Sequence, residues 1–425
     1  MNSPALQIPA GAPLDPAIRI DEPRFWRTVE RSGTIGPGRP GGLCRLALSD
    51  ADREMRDLFV QWCREAGCAV TVDRVGNIFA RRRGEDAHLP PVVVGSHLDT
   101  QVNGGRYDGI VGVLAGLEIL RTLDDRDVAT RRPIEVVCWT NEEGARFAPP
   151  MLASGAFAGV FDVDWVLARK DDDGKIFGDE LRRIGYAGSA AVGGRTLDAY
   201  FELHIEQGPI LDEQAVDVGI VTKGYATRGY VVEALGETAH AGPWPMDKRR
   251  NALVGAALLA VAVNDIGWRY HPTGGKATAA RLVAWPNKPG ILSDWAQLTC
   301  DVRHEDPAVA DAMASELLDA IPACAKRANV AMKVVDHWMF GAERFDPECM
   351  ALLRAAAARC GVPALEIASQ AGHDAYHLSR VAPTALLFTP CREGITHNNN
   401  EHAELAYTAP GVNVLLHAVV ARANR

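Results

Sequence analysis

PVVVGSHLDT, residues 91–100, is a short apolar run that ends in polar side chains. A continuous run of this length predicts a strand that is buried on both faces, with His97 at its carboxyl end. Gly109–Leu123 then has the pattern of a helix, and Ile134–Trp139 is a second buried strand that also ends in polar residues. This strand–helix–strand order predicts an α/β domain with a mainly parallel sheet, in which chemistry gathers beyond the carboxyl ends of the strands.

The segments on the amino-terminal side of this unit are predicted as one helix and two short strands. Ser49 is a good cap for a helix that runs to about Ala66. The strands are expected at Ala69–Val72 and Asn77–Arg81, whereas residues 1–47 are predicted to be irregular.

The pattern changes after residue 215, where strands and helices of a different kind predict a smaller α+β unit. Its expected elements are strands at 229–234, 277–283, 296–303 and 332–338, and helices at 251–263 and 308–327. A helix at 347–360 and a buried strand at 382–388 then return to the first pattern. We therefore predict a discontinuous catalytic domain, residues 1–214 and 336–425, with an inserted domain at residues 215–335.

The composition of the chain limits the classes of binding partner that can be expected. The chain has 425 residues, more than one domain usually contains, and a formal net charge of −9. A negative net charge disfavours a nucleic-acid or anionic-membrane partner. It does not exclude an anionic substrate, since local arginines can reverse the field inside one pocket.

The sequence also bears on the compartment. Residues 1–20 contain no continuous apolar run and do not resemble a signal peptide. The most apolar stretch, residues 252–266, is too short to span a bilayer and is interrupted by Asn264 and Asp265, so a soluble helix fits it better. The nine cysteines are odd in number and form no Cys-x-x-Cys pair, which indicates reduced thiols. We therefore predict a cytoplasmic protein.

Acidic and imidazole side chains are expected to meet at the carboxyl edge of the parallel sheet. His97 and the adjacent Glu142 and Glu143 follow predicted buried strands. A neutral imidazole with carboxylates suits Zn, Mn, Co or Ni better than Ca or Mg. Neighbouring glutamates point in different directions in an extended segment, so one can bind metal while the other faces the water. Asp99 is placed to accept the second ring N–H of His97, and Asp108 can bridge two metals through its two oxygens.

Each of these signals is weak by itself. An Asp-Gly pair such as Asp108-Gly109 is typical of a turn, and a Glu-Glu pair is typical of a solvated face. The metal-site interpretation depends on their joint position at the ends of apolar strands, where solvated charge has no structural reason to gather.

Seven short motifs occur in an order that resembles the hydantoinase/carbamoylase family of amidases, within the aminoacylase/carboxypeptidase clan of di-metal hydrolases. The motifs are GSHLDTQVNGGRYDG (95–109), NEEGARF (141–147), ELHIEQGPIL (202–211), AHAG (239–242), DVRH (301–304), AGHDA (371–375) and THN (396–398). The resemblance extends from about Phe25 to the carboxyl terminus. The histidine of HIEQG, His204, resembles this amidase branch in particular, because other relatives have a carboxylate there.

The resemblance implies a catalytic site with two divalent transition-metal ions. One ion would be held by His97, Asp108 and His204, and the other by Asp108, Glu143 and His397, with Asp108 bridging. Glu142 would be the general base that takes a proton from the activated water and passes it to the leaving nitrogen.

The resemblance also implies how a substrate would be held. Arg303 would clamp the substrate carboxylate with its planar guanidinium, although a surface salt bridge is the alternative for this residue. His240 would stabilise the oxyanion in the active site of a partner subunit, which makes the inserted unit a dimerisation and lid domain; the alternative is a turn cap in a monomer. Gln207, His373 and the position of Gly290 are further expected substrate contacts.

Three departures from the family pattern concern substrate recognition. Gly290 stands where the family often has an asparagine, and Gln370 replaces the common glycine before AGHDA. After AHAG, Pro243-Trp244-Pro245-Met246 stands in place of Thr-Thr-Pro-Met. Hydrolysis is still expected, whereas the departures count against a standard N-carbamoyl amino acid, and Trp244 suggests a larger or flatter acyl group.

The expected function is metal-dependent hydrolysis of a linear C–N amide or ureido bond in a small carboxylate, such as an N-carbamoyl amino acid or allantoate. An N-acyl amino acid or dipeptide hydrolase of the same clan is the alternative within catalysis. A non-catalytic binding protein on this fold is disfavoured, because the whole ligand set and Glu142 are present.

Overall fold

The computed structural model describes residues 13–425, so the expectation about residues 1–20 lies partly outside the described residues. The chain divides into two compact units, one formed by the residues up to Thr222 together with Arg344–Arg425, and the other by Lys223–Glu343. Each unit has its own sheet and its own hydrophobic core.

The strands, in chain order, are β1 (Ala69–Val72), β2 (Ile78–Arg82), β3 (Val92–His97), β4 (Ile134–Trp139), β5 (Ala199–Ile205), β6 (Val218–Gly224), β7 (Ala226–Leu235), β8 (Lys276–Trp285), β9 (Trp295–His304), β10 (Ala331–Phe340), β11 (Ala364–Ser369) and β12 (Thr384–Thr389). The α-helices are α1 (Glu22–Ser32), α2 (Asp50–Glu65), α3 (Ile110–Asp125), α4 (Leu152–Phe157), α5 (Val163–Leu167), α6 (Phe177–Arg183), α7 (Ile210–Gln214), α8 (Ala252–Tyr270), α9 (Pro307–Ala328), α10 (Pro347–Cys360), α11 (Asp374–Leu378) and α12 (Leu405–Ala423).

The first unit is built on a sheet with the strand order β1-β2-β4-β3-β5-β12-β6-β11. The central strands β4, β3, β5 and β12 are parallel to one another. The pairings β1–β2, β2–β4 and β12–β6 are antiparallel. Every residue of the four central strands is buried, as expected for parallel strands with both faces covered. The mixed α/β class is confirmed, and its parallel part is the centre of the sheet.

Helix α3 lies between the sheet and the outer helices of the first unit. It packs against β3, β4 and β5 and also contacts α1 and α12, so it is apolar on almost every side. Complete burial of one leucine, isoleucine or valine contributes about 1.5–3 kcal/mol to stability. Because Ile110 begins α3 directly after Asp108-Gly109, this packing fixes the backbone of that pair beside the sheet.

The expectation that residues 1–47 are irregular is wrong at α1. Asp21 caps this helix by accepting a hydrogen bond from the backbone N–H of Arg24 at 2.9 Å. Phe25 and Val29 are the apolar residues of its buried face, which also contains Thr28 and Ser32. Because half of this face is polar, the apolar pattern of the helix is a weak signal.

The segment between α1 and α2 is irregular, as predicted, yet it is held firmly. The buried guanidinium of Arg45 donates to the carbonyls of Ser32, Ile35 and Leu98 at 2.7–3.0 Å. Its backbone N–H donates to Thr100 Oγ1 at 2.8 Å. Arg45 therefore fastens this segment to the polar residues that follow β3.

The second unit is a four-stranded antiparallel sheet with the order β10-β7-β9-β8. Helices α8 and α9 pack against it and against each other. The predicted boundaries at 215 and 335 lie eight residues before the observed ones at 223 and 343. The difference arises because β6 pairs with β12 in the large sheet, and because β10 continues to Phe340 along β7.

Residues 252–266 were expected to be too short to span a bilayer, but α8 continues to Tyr270 and is long and apolar enough to cross a membrane by length and composition alone. Its buried side, which includes Ala256, Leu259 and Val263, packs against the small sheet. Val261 and Trp268 lie on the exposed side.

Candidate metal centre and active site

The carboxyl ends of the central parallel strands bring the predicted metal ligands together. His97 is the last residue of β3, and His204 lies one residue before the end of β5. Glu142 and Glu143 follow β4, and His397 lies in the loop after β12. Because these four strands are neighbours and parallel, their ends meet at one edge of the sheet, where α/β proteins place their chemistry.

The first ligand group consists of His97, Asp108 and His204, whose candidate ligand atoms all lie within 4.8 Å of one another. His204 Nε2 is 3.1 Å from Asp108 Oδ1. In each histidine the other ring nitrogen, Nδ1, lies 2.9 Å from a backbone carbonyl, that of Asp99 for His97 and that of Ile205 for His204. These carbonyls favour the tautomer with the proton on Nδ1, which leaves both Nε2 lone pairs for a metal.

The second ligand group consists of Asp108, Glu143 and His397, again with ligand atoms within 4.8 Å of one another. His397 Nε2 is 3.1 Å from Asp108 Oδ2 and 3.2 Å from Glu143 Oε2. Asp108 thus presents a different oxygen to each group. A tetrahedral metal with bonds of about 2.1 Å has ligand atoms about 3.4 Å apart, close to these separations.

The electrostatics of both groups favour added positive charge. Burial alone would lower the pKa of His204, but the hydrogen bond to Asp108 and the charge of that carboxylate raise it to about 8. The charge of Glu143 raises the pKa of His397 well above its ordinary value. Burial would raise the pKa of Asp108, but His204 and His397 hold it well below its usual range. Imidazole and carboxylate donors in a cation-seeking site fit divalent transition metals.

Glu142 is the buried carboxylate beside the first ligand group. Its Oε2 lies 3.5 Å from His97 Nε2, and its side chain is 9% exposed. Burial, and next the charge of Asp374, raise the pKa of Glu142 well above its ordinary value. A carboxylate of raised pKa at this position is suited to accept and return a proton.

Asp99 contacts the site differently from the prediction. Its backbone carbonyl, not its carboxylate, is the partner of His97 Nδ1, and its carboxylate lies 4.0 Å from that nitrogen. The carboxylate instead accepts the backbone N–H groups of Glu142 and Glu143, each at 3.3 Å. The predicted contact with the second ring nitrogen of His97 is therefore made by the main chain of Asp99, and the carboxylate of Asp99 fixes the backbone that carries both glutamates.

Two glutamine amides hold the carboxylates of the second ligand group. Gln207 Nε2 lies 3.1 and 2.9 Å from the two oxygens of Asp108. Gln101 donates its backbone N–H to Glu143 Oε1 at 3.0 Å and its side-chain amide to Glu143 Oε2 at 2.8 Å. Gln101 was not among the predicted site residues, although it lies within the motif at 95–109.

Gly109 forms a wall of the site without contributing a ligand atom. Its φ is 67°, in the left-handed region, and a Cβ atom there would lie 2.1 Å from His97 Nε2. Any side chain at residue 109 would displace the imidazole of His97. The Asp108-Gly109 pair forms a turn, as its sequence suggests. The same turn supplies Asp108 to both ligand groups and places Gly109 against the His97 ring.

The predicted substrate contacts His240 and Gly290 lie together within the second unit. Ala241 N–H donates to the Gly290 carbonyl at 2.9 Å, and His240 forms a bridge with Ile291. His240 is exposed, and its Nδ1 accepts the backbone N–H of Gly242 at 3.0 Å. That bond leaves Nε2 as the ring donor, which is the requirement for an oxyanion contact.

Arg303 also belongs to the second unit, at the end of β9. Its Nε donates to Asp301 Oδ1 at 2.9 Å, and one terminal nitrogen lies 3.2 Å from Asp301 Oδ2. Asp301 therefore orients the plane of the guanidinium from one side. This contact is the salt bridge considered as the alternative for Arg303.

His373 lies at the floor of the first unit's site. Its ring meets the ring of His204 edge-on, with centres 4.4 Å apart. The residue is buried, and within residues 13–425 its Nε2 has no hydrogen-bond partner. Burial and neighbouring histidines hold its pKa well below the usual value, so the imidazole is neutral.

Comparison with known proteins agrees with this geometry. Residues 93–421 match the model of the peptidase family M20/M25/M40. An N-carbamoyl-L-amino-acid amidohydrolase of Rhizobium meliloti is 42% identical over 95% of this chain and 96% of its own length. An allantoate amidohydrolase of Bacillus subtilis is 28% identical over 91% of this chain and 94% of its own. The crystal structure of a hydantoinase/carbamoylase family amidase from Burkholderia vietnamiensis is 48% identical, covers 97% of this chain and 100% of its own, and has a TM-score of 0.93.

The chain belongs to the peptidase family M20/M25/M40 and, within it, to the hydantoinase/carbamoylase amidases. It is a metal-dependent amidohydrolase that acts on carbon–nitrogen bonds other than peptide bonds. The resemblance and the reaction class predicted from the sequence motifs are thereby confirmed.

Proposed function

We propose that this enzyme hydrolyses the carbamoyl or ureido C–N bond of a small carboxylate with two divalent transition-metal ions, Zn, Mn, Co or Ni. The observation that carries the proposal is the pair of ligand groups that share Asp108, with Glu142 buried beside them. His97, Asp108 and His204 would hold one ion, and Asp108, Glu143 and His397 the other. The substrate class agrees with the names of the relatives, an N-carbamoyl-L-amino-acid amidohydrolase and an allantoate amidohydrolase.

When bound, the two ions would lower the pKa of a water molecule and polarise the substrate carbonyl. The protein supplies the proton transfers. Glu142 takes a proton from the attacking water, since its carboxylate is buried beside the first ligand group. It then gives that proton to the leaving nitrogen, since an amine leaves far more readily than an amide anion. Asp99 holds Glu142 and Glu143 in fixed relation throughout.

The proposed substrate contacts divide by chemistry. Arg303 would bind the carboxylate, with Asp301 setting the plane of its guanidinium. His240 would donate from Nε2 to the oxyanion. His373 and Gln207 offer a buried imidazole nitrogen and an amide oxygen without partners among the described residues, and both suit a ureido group, which has donors and an acceptor. Gly290, next to His240, would leave room where the family often has an asparagine side chain.

The decisive test is a substrate screen on metal-loaded protein with ammonia release as the readout. Ureido acids, including allantoate and N-carbamoyl amino acids with small and large side chains, should release ammonia. A chelator-treated sample is the control. If N-acyl amino acids or dipeptides are cleaved and every ureido acid is inert, the alternative within the clan is correct.

Replacement of Arg303 by lysine keeps the charge but removes the planar fork. We expect KM for carboxylate substrates to rise about tenfold or more, from the loss of one charge-assisted hydrogen bond, with little change for their amide analogues. The matched control is Arg228→Lys, because Arg228 lies in the same sheet and also pairs with an aspartate, Asp311, at 2.8 Å. Equal effects of Arg303→Lys on acids and amides would show that Arg303 does not bind the carboxylate.

We propose further that the enzyme is a cytoplasmic homodimer in which the second unit is the dimerisation domain. Val254, Val261 and Trp268 are exposed on α8 at intervals of seven residues, which places them along one face. β8 is an edge strand of the small sheet, and it ends in the exposed Trp285. An apolar helix face and an open edge are commonly covered by a second copy about a two-fold axis.

A shared active site can be detected by complementation. Inactive His240→Ala and inactive Glu142→Ala, mixed under conditions that exchange subunits, should regain about a quarter of wild-type activity, because half the dimers are mixed and each holds one complete site. Mixing Glu142→Ala with His97→Ala should regain none, since both residues act in one chain. If subunits exchange and the first mixture stays inactive, His240 does not complete the neighbour's site.

A further inference from the structure

The loop that carries His397 is bonded to the loop that carries Asp108 through two side chains outside both ligand groups. Thr396 Oγ1 lies 3.0 Å from Asp108 Oδ2 and 3.0 Å from Glu401 Oε2. One hydroxyl therefore stands between the shared metal ligand and a second carboxylate. Neither Thr396 nor Glu401 was among the residues predicted for the site.

Glu401 also binds the backbone of the loop that carries Asp108. Its Oε1 accepts the N–H groups of Tyr107 at 2.9 Å and Asp108 at 3.1 Å. The residue is 4% exposed. A Cβ at Gly105 would lie 1.9 Å from the carboxyl carbon of Glu401, so the loop before Asp108 closes directly over this carboxylate. Glu401 thus fixes the main chain of Asp108 while Thr396 meets its side chain.

The same pair restrains the loop of His397. Thr396 precedes His397 directly, and the N–H of Glu401 donates to the carbonyl of Asn398 at 3.0 Å. His397 itself has a φ of 51°, an uncommon conformation for a histidine that surrounding contacts must maintain. Contacts between residues about 290 positions apart in the chain therefore set the distance between the two loops.

We infer that Thr396 and Glu401 act as positioning residues that hold Asp108 in the orientation a bridging ligand needs. This inference rests on the proposed two-metal function. The torsion that turns an aspartate carboxylate is broad, so the side chain alone does not select one orientation. A bridging carboxylate must present one oxygen to each group, and a hydroxyl bonded to Oδ2 restricts that rotation. Partners of metal ligands commonly change metal affinity by about 10- to 100-fold when removed.

The number of protons that Thr396 and residue 401 can donate predicts different results for different substitutions of Glu401. A threonine hydroxyl has one proton, so it can donate to Asp108 or to Glu401 but not to both. In Glu401→Gln, the amide oxygen can still accept the two backbone N–H groups. The amide nitrogen can donate to Thr396, whose own proton is then free for Asp108. Glu401→Gln should therefore keep the hydrogen bonds from residue 401 to Thr396 and to the backbone of Asp108. Glu401→Met, which has no comparable acceptor, should lose them.

The experiment is calorimetric titration of chelator-stripped protein with Mn²⁺ and, separately, Zn²⁺. Thr396→Val and Glu401→Met are expected to bind at least one ion about 10- to 100-fold more weakly than wild type. Thr396→Ser and Glu401→Gln are expected to retain wild-type affinity. The matched control is Thr408→Val, since Thr408 is buried and its hydroxyl donates to the carbonyls of Glu404 and Leu405 at the start of α12, outside both ligand groups.

Thermal unfolding of the stripped variants separates positioning from stability. Thr408→Val and Thr396→Val should both lower the melting temperature, but only Thr396→Val should weaken metal binding. Wild-type metal affinity in Thr396→Val, or equal losses of metal affinity in Glu401→Gln and Glu401→Met, would overturn the inference without contradicting the proposed two-metal function. If stripped wild type binds neither ion, the proposed two-metal function fails, and this inference fails with it.

Discussion

Glu142→Gln is expected to lower kcat by at least about a hundredfold and to leave the metal content unchanged. Glutamine has nearly the same shape as glutamate but cannot take a proton from water, so the variant loses general-base catalysis, which contributes about 10²–10⁴-fold. The buried position of Glu142 beside His97, at 3.5 Å, places it next to the ligand group rather than within it. The measurement is steady-state kinetics together with elemental analysis of the same sample.

Glu143→Gln is the matched variant for this experiment. Glu143 belongs to the second ligand group, so its replacement should reduce the metal content as well as the rate. If Glu142→Gln loses metal and Glu143→Gln keeps it, the roles of the two adjacent glutamates are the reverse of those proposed.

His97→Ala should abolish turnover and reduce the metal content from about two ions per chain towards one. Removing this imidazole takes away one of the three donors of the first group and leaves Asp108 and His204 as an incomplete set. Elemental analysis after dialysis, with kinetics on the same preparation, measures both effects.

His88→Ala is the control for His97→Ala, because His88 is an exposed histidine outside both ligand groups. It should keep both ions and full activity. Full activity of wild-type protein stripped of metal would contradict the metal-dependent mechanism outright, whatever the variants show.

The elements that the sequence predicted best are those in which one physical force dominates. β3 begins with an apolar run and β4 is apolar apart from Glu135, because both faces of a central parallel strand are covered. α2 begins at the predicted cap, where Ser49 accepts the N–H of Asp52 at 3.2 Å. In these segments local pattern and tertiary environment point to the same structure.

The elements that were missed are those in which polar residues are buried by particular partners. β5 contains Glu202 and His204, which interrupt its apolar pattern, yet every residue of the strand is buried. Glu202 is accommodated because its carboxylate accepts hydrogen bonds from Ser96, at 3.0 Å, and from the backbone N–H of Ala375, at 2.8 Å. α12 was missed for a different reason, since Pro410 lies inside it and normally marks a helix boundary.

In the candidate site, too, some residues could be predicted from the sequence and others could not. The donor types and their position after strands predicted which side chains would gather, because that follows from metal chemistry and from sheet geometry. The residues that orient them did not stand out. Gln101 resembles any polar loop residue, and Glu401 meets Asp108 only after folding has joined positions 293 apart. Asp99 was expected to accept the second ring N–H of His97, but the sequence did not indicate that its main chain would make this contact.

Gly109 and Gly290 both have a positive φ, but they differ in what a side chain at each position would meet. At Gly109 there is no room for a side chain, because a methyl group there would collide with the His97 ring. At Gly290 the φ is 83°, but a Cβ atom added there would have nothing within 4 Å. Any side chain at residue 290 would be strained by this backbone, although asparagine tolerates a positive φ better than most residues. A side chain at residue 290 is therefore limited by the backbone conformation alone, whereas at residue 109 it is limited by the backbone and by the His97 ring together.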